Sequence, residues 1–451
     1  MKRSTSLDHR ILQILIPAIL ENALLLLSSM ILTGYIGRLS INEISSYGIA
    51  NRIYSIYFSI SQGFSIGTMA LLARKFGKND VRACSRLQMG CYLLLLPLAA
   101  VAMILIFLFS RQLLSTMTEE TVLLDQAQKF LMQTIWFYPL ISIVHQNATA
   151  FQADGNTKTP LEIATIGNIV NLILGYMLIF GKGAPRLGLS GAAWSQNISF
   201  LVMASTGLYF LYGKNGLFSS QKIESRLSLN ECREIVKTGT PASIENSLWN
   251  IAAVYMSCVI LSYGRTEYAA YQLGMQGEAF CDMMSAGFLT AAMSLSANAI
   301  GASDSNLYQN ALNRLNYYCR LISGVTMLFL LLFSPFVLRL LTDKAELIQI
   351  AKIYCYMMII SQYPQHHQKI LYGYLRSAGY YNSPLVISLI GIYGCRVLLS
   401  YIFGFLLHWN IVWIWIAMDV DQWARDIFAA IIFKVRNVKS YVKEQTNAAK
   451  C

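Results

Sequence analysis

Long apolar stretches alternate with short polar turns along most of this chain. Runs such as Cys91–Ser110, Leu321–Leu338 and Ile387–Leu407 each approach or exceed the ~20 residues that an α-helix needs to cross a bilayer. The pattern predicts an all-α integral membrane protein with twelve transmembrane helices. The predicted spans are residues 11–36, 44–73, 88–110, 122–150, 160–181, 189–213, 234–262, 268–298, 314–341, 347–374, 384–407 and 410–433.

The chain also repeats itself at a constant offset of 224 residues. A Pro-Ala-x-x-Glu-Asn-x-Leu motif begins at Pro17 and again at Pro241, and a Gly-x4-Pro turn begins at Gly155 and again at Gly379. One offset in separate segments indicates two copies of one topology, which is typical of transporters. We predict two pseudo-symmetric six-helix lobes. They cover residues 1–213 and, with a basic cytoplasmic tail, 234–451, and a cytoplasmic linker covers 214–233.

The boundaries of the helices carry the same signals in both halves. Gly77 and Gly301 follow spans 2 and 8, and an aspartate stands three residues later, at Asp80 and Asp304. Aspartate is a favoured N-cap, so each is expected to begin the next helix.

Composition and charge support the membrane interpretation. The chain is 55% hydrophobic and 13% charged, whereas soluble proteins carry about a quarter charged residues. The net charge of +12 is not spread evenly. About 23 Lys and Arg residues fall on alternate connections and the termini, against about 8 on the other connections. This bias predicts a multi-pass cell-membrane protein, in the plasma or inner membrane, with both termini in the cytoplasm. It argues against nucleic acid as a partner.

Processing and metal signals are weak in this sequence. Residues 1–10 lack a cleavable signal pattern, so the first apolar run is interpreted as a retained helix. Nine cysteines form no Cys-x-x-Cys pair, which argues against a disulfide framework or a zinc site. We expect no cofactor and a monomer.

Ionisable residues inside apolar spans are the main candidates for chemistry, because burying them in a bilayer is costly. Glu278 and Asp282 lie four residues apart on one face of span 8. Two carboxylates this close cannot both ionise cheaply in a low dielectric, so the pair is suited to binding and releasing a proton. The alternative is that both solvate a water-filled cavity or bond to a neighbouring helix.

Other charged residues occupy spans in both halves. Glu21 and Glu245 each follow a proline by four residues, where they could bind a cation or satisfy the interrupted helix backbone. Arg52 is expected to pair with a carboxylate, with contact to an anionic substrate as the alternative. Arg396 is expected to pair or to extend toward the interface.

Three histidines lie in predicted spans. His145 is in span 4, and His366 and His367 are in span 10. Adjacent histidines point to different sides of a helix, so a metal site is not favoured, and we expect polar lining or helix–helix bonds.

Several motifs resemble those of the multidrug and toxic compound extrusion (MATE) family. They include the run Phe151–Pro160, the Gly37-Arg38-Leu39 turn, Gly191-Ala192-Ala193 and Leu375-Arg376-x-x-Gly379. The resemblance extends over nearly the whole chain. It implies a twelve-helix, two-lobed exporter that exchanges organic compounds for protons or Na⁺. It also implies that Asn171 belongs to a cation or substrate site.

The chain departs from the family pattern in the amino-terminal half. The resemblance places an aspartate in span 1 where this chain has Leu32. It places an acidic residue four after Asn171, where this chain has Gly175, and a threonine where this chain has Gln196. The amino-terminal cation site of the family is therefore expected to be largely missing. Coupling is expected to rest on Glu245, Glu278 and Asp282.

The sequence thus predicts a secondary active antiporter that exports a small amphipathic or cationic compound in exchange for protons or Na⁺. A lipid-linked saccharide flippase is the alternative, although such a protein should line its cavity with several arginines. A membrane-embedded enzyme using His145 or His366 is a more remote alternative, which the repeat disfavours. No Walker, Gly-x-Ser-x-Gly or His-Glu-x-x-His motif is present.

Overall fold

A computed structural model describes residues 2–115, 117–118, 120–219 and 229–436 of the protein. Within these residues the chain is helical and contains no strand. The helices are α1 (Lys2–Ile36), α2 (Ile41–Gly77), α3 (Val81–Ser115), α4 (Thr121–Ile135), α5 (Tyr138–Asp154), α6 (Lys158–Phe180), α7 (Leu189–Tyr212), α8 (Leu229–Leu261), α9 (Arg265–Gly301), α10 (Ser305–Leu341), α11 (Ala345–Met357), α12 (Gln362–Ser377), α13 (Asn382–Leu389), α14 (Leu398–Tyr401) and α15 (Ile411–Val435). Eight of the predicted spans contain a helix long and apolar enough to cross a membrane.

The predicted spans 4 and 10 are each broken into two helices. Span 4 comprises α4 and α5, and span 10 comprises α11 and α12. Pro139 stands in the first turn of α5 and Pro364 in the first turn of α12. Proline lacks an N–H to donate to the preceding turn, so a helix is easily interrupted just before it. The two breaks lie at equivalent positions of the repeat, because α5 begins at Tyr138 and α12 begins 224 residues later, at Gln362.

Span 11 has a second kind of irregularity. Residues Ile390–Val397 and Ile402–Leu406 are π-helical and flank α14. In such segments each N–H reaches a carbonyl one residue further back than in an α-helix, as between Leu407 N and Ile402 O at 2.9 Å. Wide turns of this type frequently mark functional positions.

The helix boundaries confirm the repeat in detail. The carboxylates of Asp80 and Asp304 each accept from the N–H three residues later, at 2.9 Å in both cases. Gly155 and Gly379 end α5 and α12 with φ of 91° and 97°, a left-handed conformation that favours glycine. The two copies therefore share local geometry as well as sequence.

The helices form two compact units whose limits differ from the predicted lobes. The amino-terminal unit is Leu20–Ser243, and the carboxyl-terminal unit is Met1–Ile19 with Ile244–Cys451. The limits fall just after Pro17 and Pro241, inside α1 and α8, rather than at the polar linker. The predicted linker and tail lie partly outside the described residues, at 220–228 and 437–451.

Close helix approach at a glycine explains this division. A Cβ on Gly63 of α2 would lie 2.3 Å from the Ser243 Cα, so the first part of α8 packs tightly within the amino-terminal unit. A Cβ on Gly287 of α9 would lie 2.5 Å from Ile19 Cγ1, so the first part of α1 packs within the carboxyl-terminal unit. These two contacts are repeat equivalents.

Candidate functional site

The amino-terminal unit packs apolar groups at the expected family cation site. A Cβ on Gly175 would lie 3.3 Å from Leu32 Cδ1 and 3.4 Å from Ser195 Oγ. Leu32 belongs to a buried apolar cluster with residues of α2, α4 and α7. Asn171 is buried, and its Oδ1 has no hydrogen-bond donor among the described residues. The Asn171 amide is therefore a polar group that remains at the position where the sequence predicted that the family cation site is largely missing.

Two other sequence candidates lie in this unit. Glu21 is buried and accepts a hydrogen bond from the Gln152 side-chain amide at 3.1 Å. Arg52 is exposed and makes no hydrogen bond or ion pair within the described part of the chain. The pairing of Arg52 with a carboxylate across a central cavity therefore stays a prediction.

Glu278 and Asp282 project from α9 in the carboxyl-terminal unit and bond to neutral groups. The hydroxyl of Tyr354 in α11 donates to Glu278 Oε2 at 2.8 Å. The amide of Gln365 in α12 donates to Asp282 Oδ1 at 2.6 Å. Glu278 is partly buried, whereas Asp282 is exposed. The two carboxylates stand one helical turn apart on α9.

Glu245, the third predicted coupling residue, has a fixed cationic partner. Its Oε2 accepts from Arg376 Nη2 at 2.6 Å, and its Oε1 accepts from the Ser388 hydroxyl at 3.1 Å. The side chains of Glu245 and Arg376 are 10% and 5% exposed. Removing one partner of such a buried pair costs about 3–5 kcal/mol, because the other charge stays buried. This geometry favours a structural role.

A buried charge cluster on α15 was not among the sequence candidates. Asp421, which is fully buried, accepts from both Nε and Nη2 of Arg425 at 2.9 Å. The Nη2 of Arg396, from the first π-helical segment, reaches the same carboxylate at 2.8 Å. Arg396 was expected to pair, and this prediction is confirmed.

Gly391 allows the cluster to form. A Cβ at this position would lie 2.2 Å from Arg425 Cγ and 2.6 Å from Asp421 Oδ1. Only a glycine leaves room for α15 to place its ion pair against the π-helical segment.

Asp419 is a further carboxylate on α15 with no fixed cation. It is 7% exposed, and its Oδ1 has no donor among the described residues. Asp419 and Arg396 are both among the charged neighbours of Glu278. Charged residues inside an otherwise apolar run, with Asp421 and Arg425 four residues apart, were the sequence signal for this helix, whereas the contact with Arg396 joins two separate elements.

The histidines make helix–helix bonds. His145 Nδ1 lies 3.0 Å from the Ser61 hydroxyl, and His366 Nδ1 lies 2.9 Å from the Ser323 hydroxyl. His367 Nδ1 lies 2.7 Å from Asp426 Oδ1. Within the described residues no group of three or more His, Cys, Asp or Glu side chains could hold a metal.

The helical repeat and the buried carboxylates together define a multi-pass membrane transporter. The MatE family model matches residues 17–177 and, again, 241–402, so its second match begins 224 residues after its first. The chain therefore belongs to the MATE family, whose members are transporters and not enzymes.

The chain is similar to curated transporters over most of its length. A probable multidrug resistance protein NorM from Thermotoga maritima is 23% identical over 432 residues, covering 94% of this chain and 91% of that protein. An FAD transporter from Shewanella oneidensis is 23% identical over 62% of each chain.

Solved structures share the fold. An outward-facing multidrug resistance MATE transporter of the MOP superfamily superposes with a TM-score of 0.89 at 17% identity, covering 97% of both chains. A MOP superfamily transporter from Pyrococcus furiosus, described as having a binding pocket of reverse polarity, gives 0.87 at 16% identity, again over 97% of both. The predicted all-α twelve-helix fold is confirmed.

Proposed function

We propose that this protein is a secondary active antiporter that exports small amphipathic or cationic organic compounds in exchange for protons or Na⁺. Membership of the MATE family supports export of organic compounds, as do relatives named as probable multidrug resistance proteins. The sequence has no nucleotide-binding motif, so an ion gradient is the proposed energy source. Alternating access would carry substrate and ion in opposite directions.

The observation that carries this proposal is the different partnership of the carboxylates in the carboxyl-terminal unit. Glu245 and Asp421 are paired with guanidinium groups, which stay charged at all relevant pH values. Glu278 and Asp282 receive only a hydroxyl and an amide. A carboxylate whose hydrogen-bond donors are neutral can exchange one bound cation for another without leaving a buried guanidinium group unpaired. We therefore assign coupling to Glu278 and Asp282, and a structural role to Glu245.

The exposure of the pair suits ion exchange. Asp282 is exposed while Glu278 is partly buried four residues away, so an entering cation would meet Asp282 and then be shared with Glu278. Mutual repulsion is relieved when either binds a cation, and returns when the cation leaves. This gives the pair a reason to alternate between two states.

The topology and oligomeric state belong to the same proposal. The distribution of Lys and Arg between alternate connections supports the proposal that both termini lie in the cytoplasm. We propose that the protein acts as a monomer, with the pair on α9 contained in one chain.

The test is dye efflux from proteoliposomes under an imposed pH gradient and, separately, an imposed Na⁺ gradient. Glu278→Gln and Asp282→Asn should each lose most gradient-driven efflux while remaining folded. Asp125→Asn is the matched control, because Asp125 is exposed and pairs with an exposed arginine. The gradient that supports efflux identifies the ion.

Glu245→Gln separates coupling from structure. We expect a less stable protein, because Arg376 would lose its partner, but efflux per folded molecule should keep its gradient dependence. Unchanged efflux and gradient dependence in the Glu278→Gln, Asp282→Asn double variant would refute the assignment.

A flippase for an anionic lipid-linked saccharide has one supporting observation: Arg52 is exposed and has no partner among the described residues. The arginines at 376, 396 and 425 are all bonded to carboxylates, which leaves them poorly placed to bind a substrate anion. Arg52→Gln should abolish transport of such an anion and leave export of a cationic dye unchanged.

A further inference from the structure

The same buried glutamate occurs once in each unit, but with different partners. Glu21 and Glu245 are related by the 224-residue repeat and are almost equally buried, at 9% and 8% exposed. Glu245 accepts from the Arg376 guanidinium at 2.6 Å, whereas Glu21 accepts from the Gln152 amide at 3.1 Å. Gln152 and Arg376 are repeat equivalents as well. The same repeat position therefore supplies the hydrogen-bond donor to the glutamate in both units. The donor is neutral in one unit, as Gln152, and positively charged in the other, as Arg376.

Glu245 is among the charged neighbours of two more basic residues, Lys369 and Arg425. Their repeat equivalents are His145 and Leu201. His145 bonds to the Ser61 hydroxyl, and Leu201 carries no charge.

Glu21 has no ion-pair partner among the residues that the structure describes. It is buried, and the Gln152 amide is its polar contact. The repeat thus preserves the carboxyl group and its burial while every cation around it has been replaced.

We propose that Glu21 is a proton-binding site of the amino-terminal unit, and that the neutral residue at position 152 makes it one. A carboxylate buried without a counter-ion is unfavourable, and uptake of a proton removes the charge. Gln152 presents an N–H to Glu21, and the carbonyl oxygen of the protonated acid can still accept it. The site is independent of the coupling assigned to Glu278 and Asp282.

The experiment reads protonation directly and does not depend on transport. The full-length protein in lipid is titrated by infrared difference spectroscopy, and the carbonyl band of protonated carboxyl groups is followed. At neutral pH, we expect the carbonyl band of the Glu21→Gln variant to lack one component that is present in the band of the wild-type protein. Glu245→Gln is the matched control and should remove none, since the Arg376 partner keeps Glu245 ionised.

Substitutions at position 152 test the cause. Gln152→Arg places in this unit the guanidinium that the repeat places in the other, and should remove the same component as Glu21→Gln. Gln152→Leu removes the hydrogen bond without adding charge, and should keep the component.

Two results would overturn the proposal. If Glu21→Gln left the band unchanged from mildly acidic to mildly alkaline pH, Glu21 would be ionised throughout and no proton site. If Gln152→Arg kept the component, position 152 would not control it. Should Gln152→Arg fail to fold, Arg376→Gln gives the reciprocal test, because it should add a component from Glu245.

Discussion

A glycine-to-alanine pair in span 11 tests whether the buried charge cluster fixes this part of the protein. Gly391 and Gly394 lie three residues apart in the same π-helical segment. The Cβ of an alanine at 391 would lie 2.2 Å from Arg425 Cγ, whereas at 394 the nearest atom would be Ile390 Cγ2 at 4.0 Å. The two substitutions add the same methyl group to the same kind of backbone.

The expected cost follows from what must move. The Arg425 side chain cannot swing aside freely, because two 2.9 Å bonds hold its guanidinium to Asp421. Overpacking alone costs about 1–3 kcal/mol, and complete loss of the buried pair would cost about 3–5 kcal/mol. At Gly394 there is no overlap, and alanine should stabilise a helical position by roughly 0.5–1 kcal/mol. The gain in helix propensity is common to both positions, so Gly391→Ala should be less stable than Gly394→Ala by the overpacking cost, about 1–3 kcal/mol.

The order of stability is measured by heating the detergent-purified variants and monitoring the loss of folded protein by size-exclusion chromatography. Wild type should lie between the two variants, with Gly391→Ala the least stable. Equal melting temperatures for the two alanine variants would refute the reasoning, because they would show that the cluster yields without cost. A Gly391→Ala, Arg425→Ala double variant controls for the overlap and should lose less stability than the sum of its single variants.

Two further predictions concern the same fold. Asp421→Asn should destabilise the protein by about 3–5 kcal/mol in thermal unfolding, because Arg396 and Arg425 would both lose their carboxylate. The control Asp125→Asn should change stability by less than about 1 kcal/mol. Equal effects of the two substitutions would contradict the role of the cluster. In a cysteine-free background, Lys182→Cys should react with an impermeant thiol reagent added outside the cell and Asn215→Cys should not. The reverse labelling would overturn the topology derived from the Lys and Arg bias. The central-linker position Ser220, an alternative labelling site, lies outside the described residues.

Features that depend on local chain chemistry could be predicted from the sequence. The caps at Asp80 and Asp304 and the left-handed turns at Gly155 and Gly379 depend on the residue type and its immediate neighbours. The repeat doubled the evidence for each. The breaks within spans 4 and 10 were also encoded, by Pro139 and Pro364, but the apolar pattern runs across them and suggests one continuous helix.

Features that depend on contact between distant segments could not be predicted. Nothing near Arg52 in the chain identifies the carboxylate with which it is expected to pair. Glu245 was grouped with Glu278 and Asp282, because nothing near it in the chain reveals that Arg376, 131 residues away, bonds to it. Asp421 was overlooked, although its position in an apolar run was visible. A charged residue in a span indicates that a partner is present, but only the fold shows whether that partner is fixed or exchangeable.

The distinction between fixed and exchangeable partners follows from what a transport cycle demands. A carboxylate that takes up and releases a cation in every cycle passes through two charge states. If Asp421 did so, Arg396 and Arg425 would be buried without a partner in one of those states, and the packing of α15 on the π-helical segment would weaken with each turnover. Guanidinium partners hold Glu245 and Asp421 in one charge state. Glu278 and Asp282 have hydroxyl and amide partners instead, so the proposed function lets these two carboxylates change theirs. Under that proposal, the carboxyl-terminal unit would bind and release ions at α9 while the helices that carry the fixed pairs keep their packing.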